Sequence, residues 1–462
     1  VAQISTLARN EELDKVDRFG VVTQLPASGT AGAALLEGMR AMRGVEKEYQ
    51  SGKAFGGIYY DGKELKEAIN AAYCMYADSN GLYPNIFPAL RKFELEAVRM
   101  TASLLHGDEH TCGCLTTGGS ESIIVAMKAY RQWGRSRGIT DPEVIFCCTA
   151  HPAVAKACHI LGMRHVLVPY DARMRLDVAA VAAAITPNTV CVFASAPEFS
   201  HGVIDDIGGL SDVLKDKNVG LHVDTCLGAF ILPWLEQAGL LREGVAFDFR
   251  VPAVTTMSAD IHKYGYGSKG TSVVMFRTRE LRKHMFYAWT EWSGGMYCSP
   301  TMTGSRAGGI IAAAWAGLMM LGDDGYRRIA LQIAERFGAL RDGIAAMPEL
   351  ELVGPPDACC LAFRCKEGPP NQIYKVAAAM KEVGQWNLNY LQKPVCCQIQ
   401  IGCRSAFSAG AFLTDLREAL VRVANSPDKY SGGLAQIYGM AADLGDREVV
   451  GDLLKEYLDK MY

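Results

Sequence analysis

The sequence predicts an α/β chain with a mainly parallel central sheet, helices on both faces, and a smaller C-terminal α+β domain. Short apolar runs recur between about residues 144 and 277, separated by stretches with helical spacing of their apolar positions; that alternation is the signature of strands joined by crossover helices. Several of these runs end in a polar or glycine-rich turn, as buried strands of such sheets do. After about residue 325 the alternation gives way to one long helix followed by short, separated strands.

Residues 1–55 read as mostly helical and polar, with a Gly/Ala break at Gly29–Ala34. Thr117-Gly-Gly-Ser120 is a loop feeding a helix that carries Ile123, Ile124, Met127 and Tyr130. Val144–Cys148, His165–Val168, Thr189–Ala194, Gly220–Asp224, Ala253–Ser258 and Thr271–Arg277 read as strands, with helices over Pro152–Leu161 and Leu210–Lys217. The apolar run Ile310–Leu321 is too short to span a bilayer and reads as a core helix. Tyr326–Met347 is the long helix. Strands at Glu351–Val353, Ala358–Cys365 and Val395–Ile401 follow, with helices at Tyr374–Val383 and Ala411–Val423. The expected division is an N-terminal helical segment (1–55), a large α/β domain (56–325) and a small α+β domain (326–462).

A chain of 462 residues with 49% hydrophobic and 21% charged residues is ordinary for a globular protein and excludes a disordered chain, a collagen or a coiled-coil rod. With 47 basic and 50 acidic residues the net charge is -3, so no global field favours nucleic acid. The fifteen cysteines are odd in number, with adjacent pairs at Cys147–Cys148, Cys359–Cys360 and Cys396–Cys397, which suits neither a disulfide framework nor a zinc site. They read as buried free thiols of a cytoplasmic protein. The N-terminus lacks the apolar core of a signal peptide.

Four motifs carry chemistry. Lys263, in Ser258-Ala-Asp-Ile-His-Lys-Tyr-Gly-Tyr-Gly-Ser-Lys-Gly270, sits in a glycine-rich turn between two strands. On position alone it fits a solvated surface charge. Among aromatic rings and beside Lys269 it also fits an imine-forming amine of lowered pKa. Asp224 ends a strand, at the carboxyl edge where open α/β sheets place ligands; it reads as a helix cap or as a carboxylate fixing a protonated ring nitrogen, which an electron-sink cofactor such as pyridoxal phosphate needs. His222 shares its strand face two residues earlier and reads as a supporting group. Thr117-Gly-Gly-Ser-Glu-Ser122 reads as an anion cup at a helix N-terminus, or as plain capping by Ser120. His151 follows a strand and precedes a helix, placing it at the same edge, where it would cap, pack in the core or stack on an aromatic ring. Gly265-Tyr-Gly-Ser-Lys-Gly270 matches a dinucleotide-binding pattern, but a strand rather than a helix follows it. Together the four supply an anion anchor, a ring cover, a ring-nitrogen partner and an aldehyde-bound lysine, the inventory of a pyridoxal phosphate site.

The sequence resembles the pyridoxal-phosphate-dependent group II decarboxylase superfamily and, within it, the sphingosine-1-phosphate lyases. The resemblance runs from about Gly56 to Gln400 and rests on TTGGSESIIVAMKAYR (116–131), PEFSHGVID (197–205), LHVDTCLGAF (221–230), FDFRVPAVTTMSADIHKYGYGSKGTSVV (247–274), SPTMTGSRAGG (299–309) and WNLN (386–389). It implies PLP-dependent fold type I and a homodimer with active sites at the subunit interface. It makes Lys263 the Schiff-base lysine, Asp224 the partner of the pyridine nitrogen and His151 the stacking ring. Gly119, Ser120 and His262 become cofactor-phosphate contacts, and Gly304 and Ser305 phosphate contacts from the other subunit. Tyr59 matches an active-site tyrosine, and Lys269 a lysine near the substrate phosphate. Tyr83 stands where relatives usually carry a histidine, and Ala196 where a threonine is common.

The implied reaction is retro-aldol cleavage of a phosphorylated long-chain base, such as sphingosine-1-phosphate, to a long-chain aldehyde and phosphoethanolamine. Lys263 returns the proton to Cα, and Tyr59, Lys269 or a phosphate oxygen acts as base. The same residues also suit an amino-acid decarboxylase, and a non-catalytic binding protein on this fold is a third reading. No membrane anchor is visible, so a soluble, bacterial-type enzyme is expected.

Overall fold

Seven strands form the central sheet in the order β1-β7-β6-β5-β4-β2-β3. They are β1 (Cys112–Thr116), β2 (Glu143–Cys147), β3 (Arg164–Val168), β4 (Thr189–Ser195), β5 (Gly220–Asp224), β6 (Val254–Ala259) and β7 (Ser272–Phe276). The computed structural model describes residues 24–45, 51–57, 59, 62–404, 406–432, 438–439 and 447–459. The pairs β2–β3, β2–β4, β4–β5 and β5–β6 are parallel, and β7 alone runs against its neighbours β6 and β1.

Side-chain alternation along each strand divides the interior in two. Val144 and Phe146 of β2 face a core shared with the helices Gly119–Ser136 and Ala153–Leu161. Ile145 and Cys147 face the opposite core, shared with Ile207–Leu214, Leu232–Gln237 and the long helix Gly308–Ala345. Helices thus cover both faces, and the strand ends β4, β5 and β6 converge at one edge between them. A second sheet follows, ordered β10-β11-β13-β12 and antiparallel throughout, from β10 (Leu350–Leu352), β11 (Cys360–Cys365), β12 (Asn389–Gln392) and β13 (Val395–Gln400), backed by the helices Gln372–Gly384 and Ala409–Asn425. A small hairpin, β8 (Tyr287–Trp289) with β9 (Tyr297–Ser299), stands between the two parts of the chain.

Two departures from the sequence reading stand out. The strand β1 and the helices Lys63–Met75 and Pro88–Leu104 were not separately legible. In β1, Gly113 breaks the apolar pattern because the backbone of β7 approaches it: an added Cβ would stand 2.2 Å from the Val274 carbonyl oxygen. The core helix over Ile310–Leu321 and the helix from Tyr326 are found as read, two helical stretches that meet at a kink at Gly322 (φ 57°, ψ −173°). The segment before residue 56 is not helical throughout. Gly32–Val45 is a helix that starts inside the expected break, but Lys53–Phe55 extends along Asn387, whose N–H donates to the Lys53 carbonyl at 2.9 Å. Residues 1–23 of that expectation lie outside the described residues. All fifteen cysteines are free thiols; ten are buried, while Cys74, Cys148 and Cys298 are exposed.

Candidate active site

β1 delivers Thr116 and Thr117 to Gly118, whose φ of 148° turns the chain into the helix Gly119–Ser136. Gly118 caps this helix and no side chain does, so Ser120 lies in its first turn rather than acting as the cap. The first amides of the helix therefore retain their donor capacity and the dipole favours an anion there. The turn lies flush against the sheet edge: a Cβ on Gly119 would stand 2.9 Å from both Asp260 carboxylate oxygens and from Cys226 Sγ.

Asp224, the last residue of β5, is buried and accepts from Cys226 N–H at 3.0 Å and from Ser258 Oγ at 2.9 Å. Burial opposes its charge, but Lys263 and the Cys226 contacts outweigh it and hold the carboxyl below its ordinary range. His222 shares the face as expected and supports Asp224 through Ser258. Its Nε2 lies 3.2 Å from Ser258 Oγ, its Nδ1 lies 2.7 Å from Thr256 Oγ1, and Phe193 stacks on the ring at 4.9 Å. Burial pushes the His222 pKa down to about 4, so the ring is neutral. His151 accepts from Ala153 N–H at 3.2 Å through Nδ1, and burial holds it below its ordinary range despite Asp224. A neutral ring suits stacking on an aromatic ligand.

Lys263 lies in the turn between β6 and β7, with Nζ 3.0 Å from Asp260 Oδ2. Here the sequence reading is corrected. Burial disfavours the ammonium, but Asp260, followed by Cys226, Tyr59 and Asp224, reverses this and holds Lys263 well above its usual range. The depressed amine is that of Lys269, brought down to about 8 by burial and by repulsion from Lys263. His262 places Nε2 3.6 Å from Asp260 Oδ2.

Thr117 to Glu121, Ile123, His151, Asp224, Cys226, Asp260, His262 and Lys263 enclose a cavity of about 320 Å³. Two buried polar atoms in it, Asp260 Oδ1 and His262 Nδ1, have no hydrogen-bond partner among the described residues. Pyridoxal phosphate fits this donor set: amides and an imidazole for a phosphate, a carboxylate for a ring nitrogen, a neutral ring for stacking and an amine for an aldehyde.

Tyr59 belongs to an adjoining compartment with Tyr264, Tyr266, Gln400 and Arg404. Its oxygen accepts from Gln400 Nε2, its ring meets Tyr264 edge-on at 5.0 Å, and Lys269 Nζ lies 4.7 Å from its centroid. Burial keeps the phenol protonated, although Lys263 pulls the other way. Tyr83, Gly304 and Ser305 line neither compartment; Tyr83 is 51% exposed, and Ser305 Oγ accepts from Asn80 Nδ2 at 3.0 Å. The sequence reading gave no role to Asp260, Glu121, Gln400 or Arg404. Asp260 had a signal, standing three residues before Lys263 in the same turn; Gln400 and Arg404 reach the site from the second sheet and had none.

The seven-stranded sheet with this lysine turn defines a class. The profile of the pyridoxal-dependent decarboxylase conserved domain matches residues 52–366, and the chain belongs to that family of pyridoxal phosphate enzymes. The chain is 40% identical over 459 residues to sphingosine-1-phosphate lyase 1 of Rattus norvegicus, covering 99% of this chain and 80% of that protein. It is 34% identical to sphingosine-1-phosphate lyase of Saccharomyces cerevisiae, covering 95% and 75%. The solved sphingosine-1-phosphate lyase of Burkholderia pseudomallei matches with a TM-score of 0.84 at 38% identity, over 90% of this chain and 96% of that one. Within the family, the chain groups with these lyases. Lactobacillus brevis glutamate decarboxylase, 20% identical with a TM-score of 0.72 over 87% and 94% of the two chains, shares the fold. No helix among the described residues is long and apolar enough to cross a membrane.

Proposed function

We propose that this chain cleaves phosphorylated sphingoid bases, such as sphingosine-1-phosphate, to a long-chain aldehyde and phosphoethanolamine. The observation that carries the reading is the cavity gathering Lys263, Asp224 and His151 at the N-terminus of the helix Gly119–Ser136, beside a compartment walled by Tyr59 and Arg404, with Lys269 Nζ over the Tyr59 ring. Bound there, pyridoxal phosphate supplies an aldehyde for the substrate amine and an electron-accepting ring.

The chain's residues divide the remaining work. Gly119, Ser120 and His262 hold the cofactor phosphate, Asp224 keeps the ring nitrogen protonated, and His151 covers the ring. Lys263 would pass a proton to Asp260, 3.0 Å from its Nζ, to present a neutral amine to the aldehyde, and would return a proton to Cα once the substrate's Cα–Cβ bond has broken. The 3-hydroxyl proton would leave to Tyr59, Lys269 or an oxygen of the substrate phosphate as the Cα–Cβ bond breaks; the Tyr59 oxygen accepts from Gln400 and its ring faces Lys269. Lys269, with Arg404 on the same side, holds the substrate phosphate. A cation whose charge is strained by its neighbours gains from an arriving anion, as the depressed Lys269 does.

The active unit is a homodimer. Tyr83, Ile86, Leu95, Phe286, Tyr287, Trp289, Trp292 and Met296 are exposed. Leu82, Leu95, Phe286 and Tyr287 line one surface cleft, so these segments adjoin. Exposed apolar side chains in this number, on segments that meet at the cleft, suit burial against a second copy. The 302–306 loop at its margin then brings Gly304 and Ser305 to the neighbouring subunit's cofactor phosphate, and Tyr83 reaches the substrate from the same side.

The test is mass spectrometry of products from cofactor-loaded protein and sphingosine-1-phosphate. Phosphoethanolamine with the matching aldehyde is expected, and Lys263→Ala should abolish both together with the borohydride-trapped cofactor adduct. Retained turnover in Lys263→Ala, or carbon dioxide release from amino acids in place of those products, overturns the reading.

A further inference from the structure

The loop carrying Gly304 and Ser305 is tied at both ends to the anion cup of its own subunit. At its start, Met302 N–H donates to Glu121 Oε1 at 3.0 Å. The other oxygen of Glu121 accepts from Thr117 N–H and Thr117 Oγ1, each at 2.7 Å. At its end, Arg306 N–H donates to Asn80 Oδ1 at 3.0 Å, and the guanidinium donates to Glu94 Oε2 and to the Leu115 carbonyl, both at 2.9 Å. Glu94 accepts in turn from Leu115 N–H at 2.9 Å. Leu115 and Thr117 flank the last residue of β1 and lead directly into Gly118-Gly119. The loop and the cup therefore share two carboxylates, one on either side.

Glu121 is in an unexpected place for an anion site. It lines the cavity, it is 8% exposed, and its charge repels a phosphate bound at the same helix N-terminus. Its two oxygens divide between cup and loop, which is a positioning role.

We propose that Glu121 is a positioning residue that fixes the 302–306 loop to the anion cup, so that the cup of one subunit sets where that subunit's loop meets the cofactor phosphate of the other. This rests on the proposed sharing of sites between two copies.

The test uses hybrid dimers purified through two different affinity tags. A Lys263→Ala subunit paired with an unaltered one leaves a single competent site, which takes its lysine and cup from the unaltered subunit and its loop from the variant. Its turnover should be about half that of the unaltered dimer. Adding Glu121→Gln to the Lys263→Ala chain leaves the cup of the competent site untouched. The amide can accept from Thr117 or from Met302 but not serve both, so pyridoxal phosphate should bind the competent site roughly tenfold more weakly, as for one lost charged hydrogen bond. Arg306→Met in the same chain, which cuts the other tie to Glu94 and the Leu115 carbonyl, should act across the dimer in the same way and serves if the Glu121 variant does not fold. Equal cofactor affinity in hybrids with and without these changes overturns the proposal, since Glu121 would then serve only its own cup. A monomer in sedimentation overturns the sharing of sites itself, a separate result.

Discussion

Lys263 and Lys269 are six residues apart, and their environments send them in opposite directions. Asp260 holds Lys263 charged, while Lys269, disfavoured as a cation by burial and then by Lys263 and Arg404, and only partly relieved by Asp260, falls to about 8. A bound phosphate dianion raises the Lys269 value again. Above about pH 8, binding must then take up a proton, so KM for the phosphorylated substrate should rise with pH from about 8 upward, and Lys269→Met should raise KM and flatten that limb. A KM that falls with rising pH would sink the assignment. The sign for stability is the reverse. The unfolded chain binds more protons at this lysine between about 8 and the ordinary lysine value, so this group's contribution to stability grows with pH across that window. At Gly119 the argument is steric. A methyl group added there would stand 2.9 Å from three neighbouring atoms of Asp260 and Cys226, so Gly119→Ala should weaken cofactor binding at least tenfold by equilibrium dialysis, with far-ultraviolet circular dichroism unchanged. Lys263, Asp224 and His151 were legible in the sequence because each sits where an apolar strand gives way to a polar turn. Asp260 was visible in the same turn, but its hold on Lys263 was not, since a charge balance depends on distances. Gln400 and Arg404 were illegible because they meet Tyr59 from more than three hundred residues away.

Among the elements, the parallel strands were legible nearly to the residue; β2, β4 and β5 are buried throughout, as strands covered on both faces are, while the edge strand β3 is mostly exposed. Gly220–Asp224 is observed as expected. β1 was hidden by Gly113, and the short edge strand β12 by its half-buried, mixed side chains. The two helices either side of Gly322 were legible because the residues around it are polar; Asp323 there accepts from Trp234 Nε1 at 3.0 Å and pairs with Arg327. At φ 57° and ψ −173° the backbone at Gly322 belongs to a region that side chains avoid. Gly322→Ala should therefore cost about 1–3 kcal/mol in urea unfolding. An unchanged midpoint would mean that the helix relaxes to continuity there without loss.

At the scale of the molecule, the exposed apolar surface is the feature a single chain leaves unexplained. Met296 is 89% exposed, so a change there disturbs few contacts within the chain. Met296→Asp should shift sedimentation toward the monomer and remove activity in proportion, while thermal unfolding of the monomer keeps a single cooperative step. A dimer of unchanged affinity would remove this surface from the interface. The strand order has a consequence for how the molecule is made. Thr116 bonds the Ser272 carbonyl across 156 residues of intervening chain. At roughly 5–20 residues per second of ribosomal synthesis, β1 waits about 8–30 s for the strand beside it. The anion cup hangs from β1 and the lysine turn from β6 and β7, so a nascent chain that has not passed β7 has no cofactor site to fill, and pyridoxal phosphate can assist folding only once synthesis has gone beyond Phe276.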